Sequence, residues 1–431
     1  MPIPKHLALN VPETNLPRIV IVGGGFGGLK LAKGLSKVKA QVVLLDKNNF
    51  HTFQPLLYQV ATAGLEPDSI AGPLRKIFEG NPDYFFRMVK VIGINTGKNE
   101  VETTVGNIHY DYLVLANGSV TNYFDKKDFR RKVLPLKRVV HALDLRSHIL
   151  QNFEQAVMTK DKDLLRNMMN IVVVGGGPTG VEVCGALAEL KKHILPKDYP
   201  DLDFSQMRIH LIEGSGRLLN GMSEASGKDA LRYMKKLGVE VQLETVVEDY
   251  DGTVVKLKNG ELHTTTLIWS AGVRGNVLNG IDASAIERSR ILVDEFSKVK
   301  GLNNVYAIGD VAAMECKDYP KGHPMLAPVA MQQGVTLAKN FVRKLKGQEE
   351  VPFKYLDKGS MATIGKNKAV VDMPGGLHFK GLFAWLIWMF IHILYLIGFR
   401  NKLITLNNWI WSYLTYDKGT RLIVRTFYKR N

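Results

Sequence analysis

The chain has 431 residues, of which 45% are hydrophobic and 23% charged, with two cysteines and a formal charge of +16. This composition is typical of a globular protein of two to three domains and excludes a disordered, collagen-like or disulfide-stapled chain. The two cysteines are far apart in sequence, which excludes a CxxC redox pair and a cysteine zinc site. No HxxxH or HExxH spacing indicates another metal centre. The positive charge favours anionic partners.

A strand, a glycine-rich turn and a helix come first in the informative part of the chain. Ile19–Val22 is typical of a buried parallel strand, and Gly23–Gly28 follows it with the spacing GxGxxG. The first glycine permits a tight turn, the second admits a pyrophosphate, and the third lets helix and strand pack closely. The predicted helix Leu29–Val38 directs its N-terminal N–H groups at the phosphate. The next strand ends at Asp46, where a carboxylate accepts hydrogen bonds from a ribose, so these features together predict a dinucleotide site.

The same signature occurs a second time. Ile171–Val174 is a second buried strand, and Gly175–Gly180 repeats the glycine spacing. The following strand ends at Glu213, and we predict that the long separation is taken up by an extended loop over His193–Met207. A carboxylate at this position holds a ribose diol and repels a 2′-phosphate, so the second nucleotide is predicted to be NADH rather than NADPH. Arg217 lies nearby in sequence and would weaken that preference if it reached the ribose.

A hydride donor needs an acceptor, and the remaining segments fit a flavin. Tyr110–Ser119 and Thr266–Val273 are strands that end in small-residue turns, where strands of a nucleotide domain meet the cofactor. Asn304–Asp310 ends another buried strand with glycine and then aspartate, and a helix is predicted over Val311–Met314. A carboxylate there holds hydroxyl groups of a ribityl chain, and the helix N-terminus faces phosphate.

This order of motifs resembles the two-dinucleotide-binding-domain flavoprotein family over about Arg18 to Asn340. The fold class is therefore predicted as α/β, with two Rossmann-like domains, the second inserted in the first. Disulfide reductases of this family carry a redox dithiol after the first ribose acid, but the segment Asp46–Tyr58 has no cysteine. The electron acceptor must therefore diffuse in, and Cys184 and Cys316 are interpreted as packing thiols.

The C-terminal segment is aromatic, apolar and basic. Gly381–Phe399 has no formally charged residue, Leu403–Tyr416 is a second apolar stretch, and four of the five tryptophans lie between residues 385 and 411. From Lys380 onward there are eight basic residues and one acid. We predict two helices lying in the plane of an anionic lipid surface with a cationic collar; a true span and a buried core or dimer helix remain alternatives. The N-terminus has no apolar run typical of a signal peptide, which favours a cytoplasmic location for the bulk of the chain.

With this segment included, the whole chain resembles the type II NADH:quinone oxidoreductases, which are single-subunit respiratory enzymes that do not pump protons. The resemblance implies one bound FAD, NADH as substrate, a membrane quinone (menaquinone or ubiquinone) as acceptor, and no nucleic-acid partner. It further implies a homodimer held peripherally on the cytoplasmic face of the inner (cell) membrane. A soluble ferredoxin or rubredoxin reductase is the alternative, but it has no use for the C-terminal segment. The segments that carry the resemblance are Gly23–Gly28, His51–Gln59, Gly175–Glu182, Asp310, Met325–Gly334, Gly359–Gly365 and the aromatic tail.

The resemblance also implies site residues. Glu182 matches the family's acid between flavin and nicotinamide, and Gln332 matches the second glutamine of the quinone pattern AQxxxQ, whereas Pro328 replaces the first. Gln333 is expected to share the role of Gln332, and Lys366 is expected near the quinone entry. The residues expected to bind the cofactors are Gly23, Gly25, Phe26, Gly27, Gly28, Asp46, Lys47, Thr52, Phe53, Gln54, Leu57, Ala116, Gly118, Gly309, Asp310 and Ala327 for FAD, and Gly175, Gly177, Pro178, Thr179, Gly180, Glu213, Ala271 and Gly272 for NADH; no metal ligand is expected.

Four segments follow from this interpretation. Residues 1–165 and 289–380 are expected to form the FAD-binding domain in two parts, and residues 166–288 the inserted NADH-binding domain. Residues 381–431 are expected to form the amphipathic membrane anchor.

Overall fold

The computed structural model describes residues 7–36, 38–77, 79–126, 128–417 and 419–427. The chain forms two compact units. The first unit comprises Met1–His51, Gly72–Val120 and Val273–Asp357, and the second comprises Thr52–Ala71, Thr121–Gly272 and Lys358–Asn431.

The strands alternate with helices in the part of each unit that carries a glycine-rich turn. In chain order the strands are β1 (Arg18–Val22), β2 (Gln41–Asp46), β3 (Phe50–Thr52), β4 (Ala71–Pro73), β5 (Tyr84–Met88), β6 (Val91–Asn95), β7 (Glu100–Thr103), β8 (Gly106–His109), β9 (Tyr112–Leu115), β10 (Ser119–Thr121), β11 (Leu134–Pro135), β12 (Ile171–Val174), β13 (Ile209–Ile212), β14 (Glu240–Gln242), β15 (Val247–Tyr250), β16 (Val254–Leu257), β17 (Gly260–His263), β18 (Thr266–Trp269), β19 (Val273–Gly275), β20 (Ile286–Glu287), β21 (Arg290–Val293), β22 (Val305–Ala307), β23 (Ala312–Met314), β24 (Ser360–Gly365), β25 (Lys368–Met373) and β26 (Leu377–Lys380).

Eleven α-helices and five 3₁₀ turns occur among the described residues. They are α1 (Phe26–Gly34), α2 (Leu57–Ala61), α3 (Phe129–Lys132), α4 (Val139–Ala156), α5 (Lys162–Met169), α6 (Pro178–His193), α7 (Leu195–Asp198), α8 (Glu224–Lys236), α9 (Ala327–Lys344), α10 (Gly381–Tyr395) and α11 (Phe399–Thr415), with 3₁₀ turns at Gln54–Leu56, Pro67–Ile70, Leu74–Ile77, Ala283–Ala285 and Gly309–Val311.

The first unit is built on a parallel sheet with strand order β22-β9-β1-β2-β5. β1 is buried at every position because both of its faces are covered, as its unbroken apolar run predicts. α1 and α9 pack against each other through glycines: a Cβ on Gly334 would lie 2.4 Å from the carbonyl oxygen of Gly27. This close contact requires a residue without a side chain.

The second unit repeats the arrangement with a parallel sheet of order β11-β18-β12-β13-β14. α6 follows its glycine-rich turn and packs on the hairpin that begins with β24. A Cβ on Gly185 of α6 would lie 2.3 Å from the carbonyl oxygen of Ile364, so glycine again sets the approach. The predicted α/β class with two dinucleotide-type sheets is confirmed, and residues 121–272 of the second unit lie in the chain between segments of the first.

Three local predictions were wrong. The segment after Asp310 is not a helix, because Ala312–Met314 is a strand that pairs in parallel with Ile291–Val293. Gly309–Val311, directly before this strand, forms a single 3₁₀ turn. The first helix begins at Phe26, directly after the glycine turn, and ends at Gly34. The loop after His193 contains a short helix, α7.

Candidate functional site

The glycine-rich turn of the first unit has the three steric properties that a dinucleotide requires. Gly23 has φ +107°, and a Cβ there would lie 2.5 Å from the carbonyl oxygen of Ala116. A Cβ on Gly28 would lie 1.9 Å from the carbonyl oxygen of Gly23, so only glycine lets α1 pack against the strand end. Gly25 has open space, with the nearest heavy atom 3.9 Å from its Cβ position. This open position is where a pyrophosphate can approach the backbone.

Asp46 is tied to that turn. Its carboxylate accepts hydrogen bonds from the backbone N–H groups of Gly24, at 2.7 Å, and Asn48, at 2.8 Å. Burial raises the pKa of Asp46, and these two backbone donors oppose the shift by favouring the charged form. The acid at the end of β2 is therefore fixed in place beside the glycine turn.

The glycine turn of the second unit has nearly the same φ angle and Cβ distances as that of the first. Gly175 has φ +106°, and its Cβ position is 2.6 Å from the carbonyl oxygen of Ser270. The Cβ position of Gly180 is 1.8 Å from the carbonyl oxygen of Gly175, and that of Gly177 has nothing within 4 Å. The motif was predictable because each of its constraints is a contact of the backbone with itself.

Glu213 occupies the place that Asp46 has in the first unit. Its carboxylate accepts from the backbone N–H of Gly176, at 2.5 Å, and of Ser215, at 2.7 Å. The guanidinium of Arg217 donates instead to the side chain and carbonyl oxygen of Asn220 and to the carbonyl oxygen of Met222. Arg217 is therefore committed to its own loop in this structure.

Asp310 lies at a turn that two other side chains hold. Ser119 donates a hydrogen bond through its hydroxyl group to the Asp310 carboxylate. The buried side chain of Gln333 accepts the N–H of Gly309 at 2.7 Å, and Gly309 itself has φ +73°. Sequence reasoning did not single out Ser119, because a serine in a small-residue turn carries no signal until the fold places it opposite the aspartate.

The two glutamines of α9 have different surroundings. Gln332 is paired with the backbone of Leu356 in both directions, at 2.9 Å and 3.0 Å. Gln333 is 1% exposed, and its amide oxygen is used by Gly309. Their predicted contact with a quinone stays a prediction; for Gln333 this geometry favours a positioning role at the Asp310 turn. Pro328 lies in the first turn of α9, where its missing N–H leaves no intrahelical bond unmade.

Glu182 is the most perturbed acid of the second unit. It lies on α6, 8% exposed. Burial raises the pKa of Glu182 to about 8, although the backbone N–H of Thr363 and the indole of Trp388 oppose the shift by favouring the ionised form. The carboxyl group is thus largely protonated at neutral pH. Cys184, on the same helix, is fully buried, and burial raises the pKa of its thiol, in line with a packing role. Cys316 is exposed, so the prediction of a packing role is wrong for that thiol.

Lys366 is held by the C-terminal helix of its own unit. Its Nζ donates to the carbonyl oxygen of Tyr413 at 2.6 Å and lies 4.1 Å from the centroid of the Tyr413 ring. The same Nζ lies 3.7 Å from the centroid of the Tyr416 ring. The backbone N–H of Lys366 donates a hydrogen bond to the side chain of Glu189. Cation–π contacts of this kind fix the ammonium group between the β24–β25 hairpin and α11.

The other predicted residues divide between the two units. In the second unit Phe53 and Leu57 are buried, Gln54 accepts a hydrogen bond from Lys137 at 3.0 Å, and Gly272 has φ +149°. Their direct contact with a cofactor stays a prediction. The remaining ones are Phe26, Gly27, Lys47, Ala116, Gly118 and Ala327 in the first unit and Thr52, Pro178, Thr179 and Ala271 in the second; of these Pro178 and Thr179 are exposed at the start of α6.

The C-terminal helices each turn one face to the protein and one away from it. On α10 the side chains of Ala384, Trp388 and His392 are buried, and burial lowers the pKa of His392 to about 4, so its ring is neutral. On α11 the indole N–H of Trp409 donates to Gln59 at 2.7 Å. The exposed faces are apolar and comprise Leu382, Phe383, Leu386, Phe390 and Leu394 on α10 and Phe399, Leu403, Ile410, Trp411 and Leu414 on α11.

The basic residues of this segment are mostly used within the fold. Arg421 pairs with Asp198 at 2.6 Å, and Arg425 pairs with Asp144. Lys380 lies 3.4 Å from Asp229, Arg400 lies 4.0 Å from Asp68, and Lys402 donates to the carbonyl oxygen of Leu394. The other predicted members of the cationic collar, Lys418, Lys429 and Arg430, lie outside the described residues. Among the described residues, no helix combines the length and the apolar character that crossing a bilayer requires.

The chain is similar to known protein families both in its large N-terminal part and in its C-terminal segment. The family model described as pyridine nucleotide-disulphide oxidoreductase matches residues 17–334, and that of the NDH2 C-terminal domain matches residues 358–416. The type II NADH:quinone oxidoreductase Ndh of Mycobacterium tuberculosis is 35% identical over 93% of this chain and 89% of its own length. That of Staphylococcus aureus is 29% identical over 82% and 89%, respectively. In structure, the chain is similar to NDH2 of Plasmodium falciparum in complex with NADH, with a TM-score of 0.87, 21% identity, and coverage of 95% of this chain and 100% of that one.

Proposed function

Since the chain belongs to the type II NADH:quinone oxidoreductases, within the wider pyridine nucleotide-disulphide oxidoreductases, we propose that it oxidises NADH and passes two electrons through a bound FAD to a membrane quinone. The observation that carries this proposal is the pair of glycine turns, each with an open second glycine and an acid bonded to the turn. One turn holds the flavin dinucleotide and the other holds NADH. The segment after Asp46 has no cysteine, so the electrons leave to a diffusing acceptor.

Each nucleotide has a distinct set of protein groups. In the first unit Asp46 accepts ribose hydroxyl groups, Gly25 admits the pyrophosphate, and Asp310 holds hydroxyl groups of the ribityl chain. The residues present fit FAD because the space at Gly25 is the space that a pyrophosphate fills. FAD, when bound, supplies the hydride acceptor and the two-electron carrier.

In the second unit Glu213 orients the adenine ribose of NADH. Glu182 holds a proton on its carboxyl group at neutral pH, so it is a proton donor at the point where quinone reduction consumes protons. Gln332 and Lys366 are proposed to bind the quinone, which is menaquinone or ubiquinone. Electron transfer is proposed not to be coupled to proton pumping, as the family resemblance implies.

The exposed apolar faces of α10 and α11 support a peripheral attachment to a membrane. We propose that residues 381–431 are the anchor, that the protein acts as a homodimer on the cytoplasmic face of the inner (cell) membrane, and that residues 1–165 with 289–380 bind FAD while 166–288 bind NADH. Light scattering of the detergent-purified protein tests the dimer, and a single-chain mass would contradict it.

The proposed activity is tested on protein purified in mild detergent. We expect a yellow preparation whose flavin absorption is bleached by NADH without oxygen and returns when a quinone is added. A colourless preparation, or a reduced flavin that quinones do not reoxidise, would overturn the proposal. A pH-sensitive dye inside proteoliposomes tests the absence of pumping, since a pumping enzyme would change its signal during turnover.

Alanine substitutions at Gly177 and Gly180 of the NADH turn are expected to have different effects, one on binding and the other on folding. Gly177→Ala is expected to leave the unit folded, because its Cβ has nothing within 4 Å, but to raise the KM for NADH by at least about tenfold by occupying the space of the pyrophosphate. Gly180→Ala, the control, is expected to impair folding itself, because its Cβ would lie 1.8 Å from a carbonyl oxygen. Expression level, circular dichroism and steady-state kinetics separate the two. Equal KM values for Gly177→Ala and the wild type would contradict the proposed site.

Glu213 is expected to set the preference for NADH. Glu213→Ala removes the acceptor for the ribose diol and the charge that repels a 2′-phosphate, so the KM for NADH should rise about threefold to tenfold while NADPH improves. FAD content serves as the control, because Asp46 and the first glycine turn are unaltered. Steady-state kinetics with both nucleotides give the measurement, and an unchanged preference would remove Glu213 from the ribose site.

A further inference from the structure

His378 lies between two carboxylates in the second unit. Its Nδ1 is 2.9 Å from Oδ1 of Asp372, and its Nε2 is 3.1 Å from Oδ2 of Asp229. Asp372 is the cross-strand neighbour of His378 in the β25–β26 hairpin, whereas Asp229 belongs to α8. These three side chains form what we call the His378 bridge. Its carboxylates meet different nitrogens of one ring, and no metal-holding cluster of acids, histidines or cysteines occurs among the described residues.

The geometry of the His378 bridge requires a charged ring. A carboxylate only accepts hydrogen bonds, and a neutral imidazole has one N–H group, so a neutral ring satisfies only one of the two carboxylates. The imidazolium ion has two N–H groups and satisfies both. The hydroxyl group of Ser226 lies 3.3 Å from Nδ1 but does not replace the second N–H, because it donates its one hydrogen to Asp372 at 2.9 Å.

The charges around the ring favour the same protonated form. Lys380 of β26 lies 3.4 Å from Asp229, and Arg232 of α8 donates to Asp229 at 2.8 Å. Desolvation opposes the charge on the ring, but the hydrogen bonds and charges of Asp372 and Asp229 outweigh it and raise the pKa of His378 above its ordinary value of 6.5. Desolvation likewise opposes the charge of the two acids, but their hydrogen bonds outweigh it and lower both pKa values, so the carboxylates stay ionised while the ring titrates.

The His378 bridge joins two parts of the unit that have proposed functions. β26 ends at Lys380, and α10, the start of the proposed anchor, begins at the next residue. Asp372 also accepts hydrogen bonds from the N–H group and the hydroxyl group of Ser223, at 2.7 Å and 2.8 Å. Ser223 is the N-cap residue of α8 and ends the loop that follows Glu213. The bridge therefore connects the start of the anchor with the loop beside the proposed NADH ribose site.

We propose that the His378 bridge is a proton-dependent latch: with a charged ring it holds the strand that leads into α10 against α8, and loss of the proton at alkaline pH releases the ring from one carboxylate and loosens the hairpin. The contacts of Ser223 with Asp372 and of Lys380 with Asp229 do not involve the ring, so the hairpin loosens locally and the unit stays folded. Since the pKa of His378 is raised in the folded state, the contribution to stability is complete below pH 6.5 and is lost as pH rises through the folded-state value.

Hydrogen–deuterium exchange of the full-length protein in detergent tests the latch. Exchange of the amides of residues 368–380 is compared with that of the wild type at the same pH, so the intrinsic pH dependence of exchange cancels. His378→Gln is neutral at every pH, and we expect this segment to exchange at least about tenfold faster than in the wild type at pH 6, as loss of one charge-assisted hydrogen bond gives, and within about twofold at pH 9.5. His378→Lys stays charged over this range, so its exchange should match the wild type at pH 6 and be slower at pH 9.5.

His263→Gln is the matched control, because His263 also meets a carboxylate, that of Glu261 at 3.1 Å, in an exposed hairpin of the same unit. It should leave the exchange of residues 368–380 unaltered at both pH values. An effect of His378→Gln that is equal at pH 6 and pH 9.5, or absent at pH 6, would overturn the latch. If His378→Gln does not fold, the comparison of the wild type with His378→Lys decides, and a ratio of their exchange rates that does not rise with pH would overturn it. Bleaching of the flavin by NADH tests the proposed function independently of this result.

Discussion

Replacing Leu386, Phe390 and Leu394 with serine is expected to detach the protein from membranes. These side chains are spaced four residues apart on one face of α10 and are between 50% and 63% exposed. Full burial of such a side chain contributes about 1.5–3 kcal/mol, and half of that from each of three gives about 2–4.5 kcal/mol. The partition coefficient onto lipid vesicles should therefore fall by roughly 1.5 to 3 orders of magnitude, because about 1.4 kcal/mol corresponds to a tenfold change. Co-sedimentation with vesicles measures it.

A matched triple variant controls for the loss of exposed apolar surface in general. Val140, Met158 and Val246 are also exposed apolar residues of the second unit, but they lie outside the C-terminal helices. Their replacement by serine should leave vesicle binding unchanged. NADH oxidation with a soluble acceptor should survive in both triples. Undiminished sedimentation of the α10 variant would show that this face is not the anchor.

The charge pattern of the segment has a weaker consequence than its apolar face. Arg421 and Arg425 are paired with Asp198 and Asp144, so they are not simply a free collar for anionic lipid. Pairing within the fold leaves less of their charge for anionic lipid, and salt screens the electrostatic attraction that remains at the surface. The apolar faces therefore supply most of the expected affinity for a bilayer.

The dinucleotide turns were predictable from sequence because their constraints are local. Each first and third glycine would collide with backbone of the same turn or of the adjacent strand if it had a Cβ, and each acid bonds to an N–H within that turn. Residue type and spacing therefore encode the geometry. The same reasoning identified the class of fold.

Features that depend on distant parts of the chain were not predictable. The strand Ala312–Met314 exists because Ile291–Val293 offers an edge to pair with, which overrides its local helical propensity. The rotation of α9 about its axis determines that the side chain of Gln333 is buried and that of Gln332 is not. The sequence cannot predict this, because the two glutamines are adjacent and the rotation depends on what the helix packs against. Arg421 pairs with the nearby Asp417, but its second partner, Asp198, is 223 residues away, and Asp144, the partner of Arg425, is 281 residues away.

The pKa of Glu182 also depends on contacts between distant parts of the chain, and we expect it to make the stability of the protein depend on pH. The environment that raises its pKa to about 8 is assembled from α6, β24 and α10 of the second unit. Between its ordinary pKa of 4.5 and about 8 the folded state holds a proton that the unfolded state has lost. The free energy of unfolding therefore falls as pH rises through this window, by about 1.4 kcal/mol per unit or roughly 5 kcal/mol in all, and the loss levels off above it.

Glu182→Gln removes this titration while keeping the shape of the side chain, so its stability advantage over the wild type should be small near pH 5 and largest near pH 8. Thermal unfolding of both proteins across this range measures the difference. Glu248→Gln is the control, because Glu248 is an exposed glutamate of the same unit and its replacement should shift the midpoint by a similar small amount at every pH. A stability gap between Glu182→Gln and the wild type that stays constant from pH 5 to pH 8 would mean that Glu182 is ionised at neutral pH, and the carboxyl group could then not serve as the proton donor for quinone reduction.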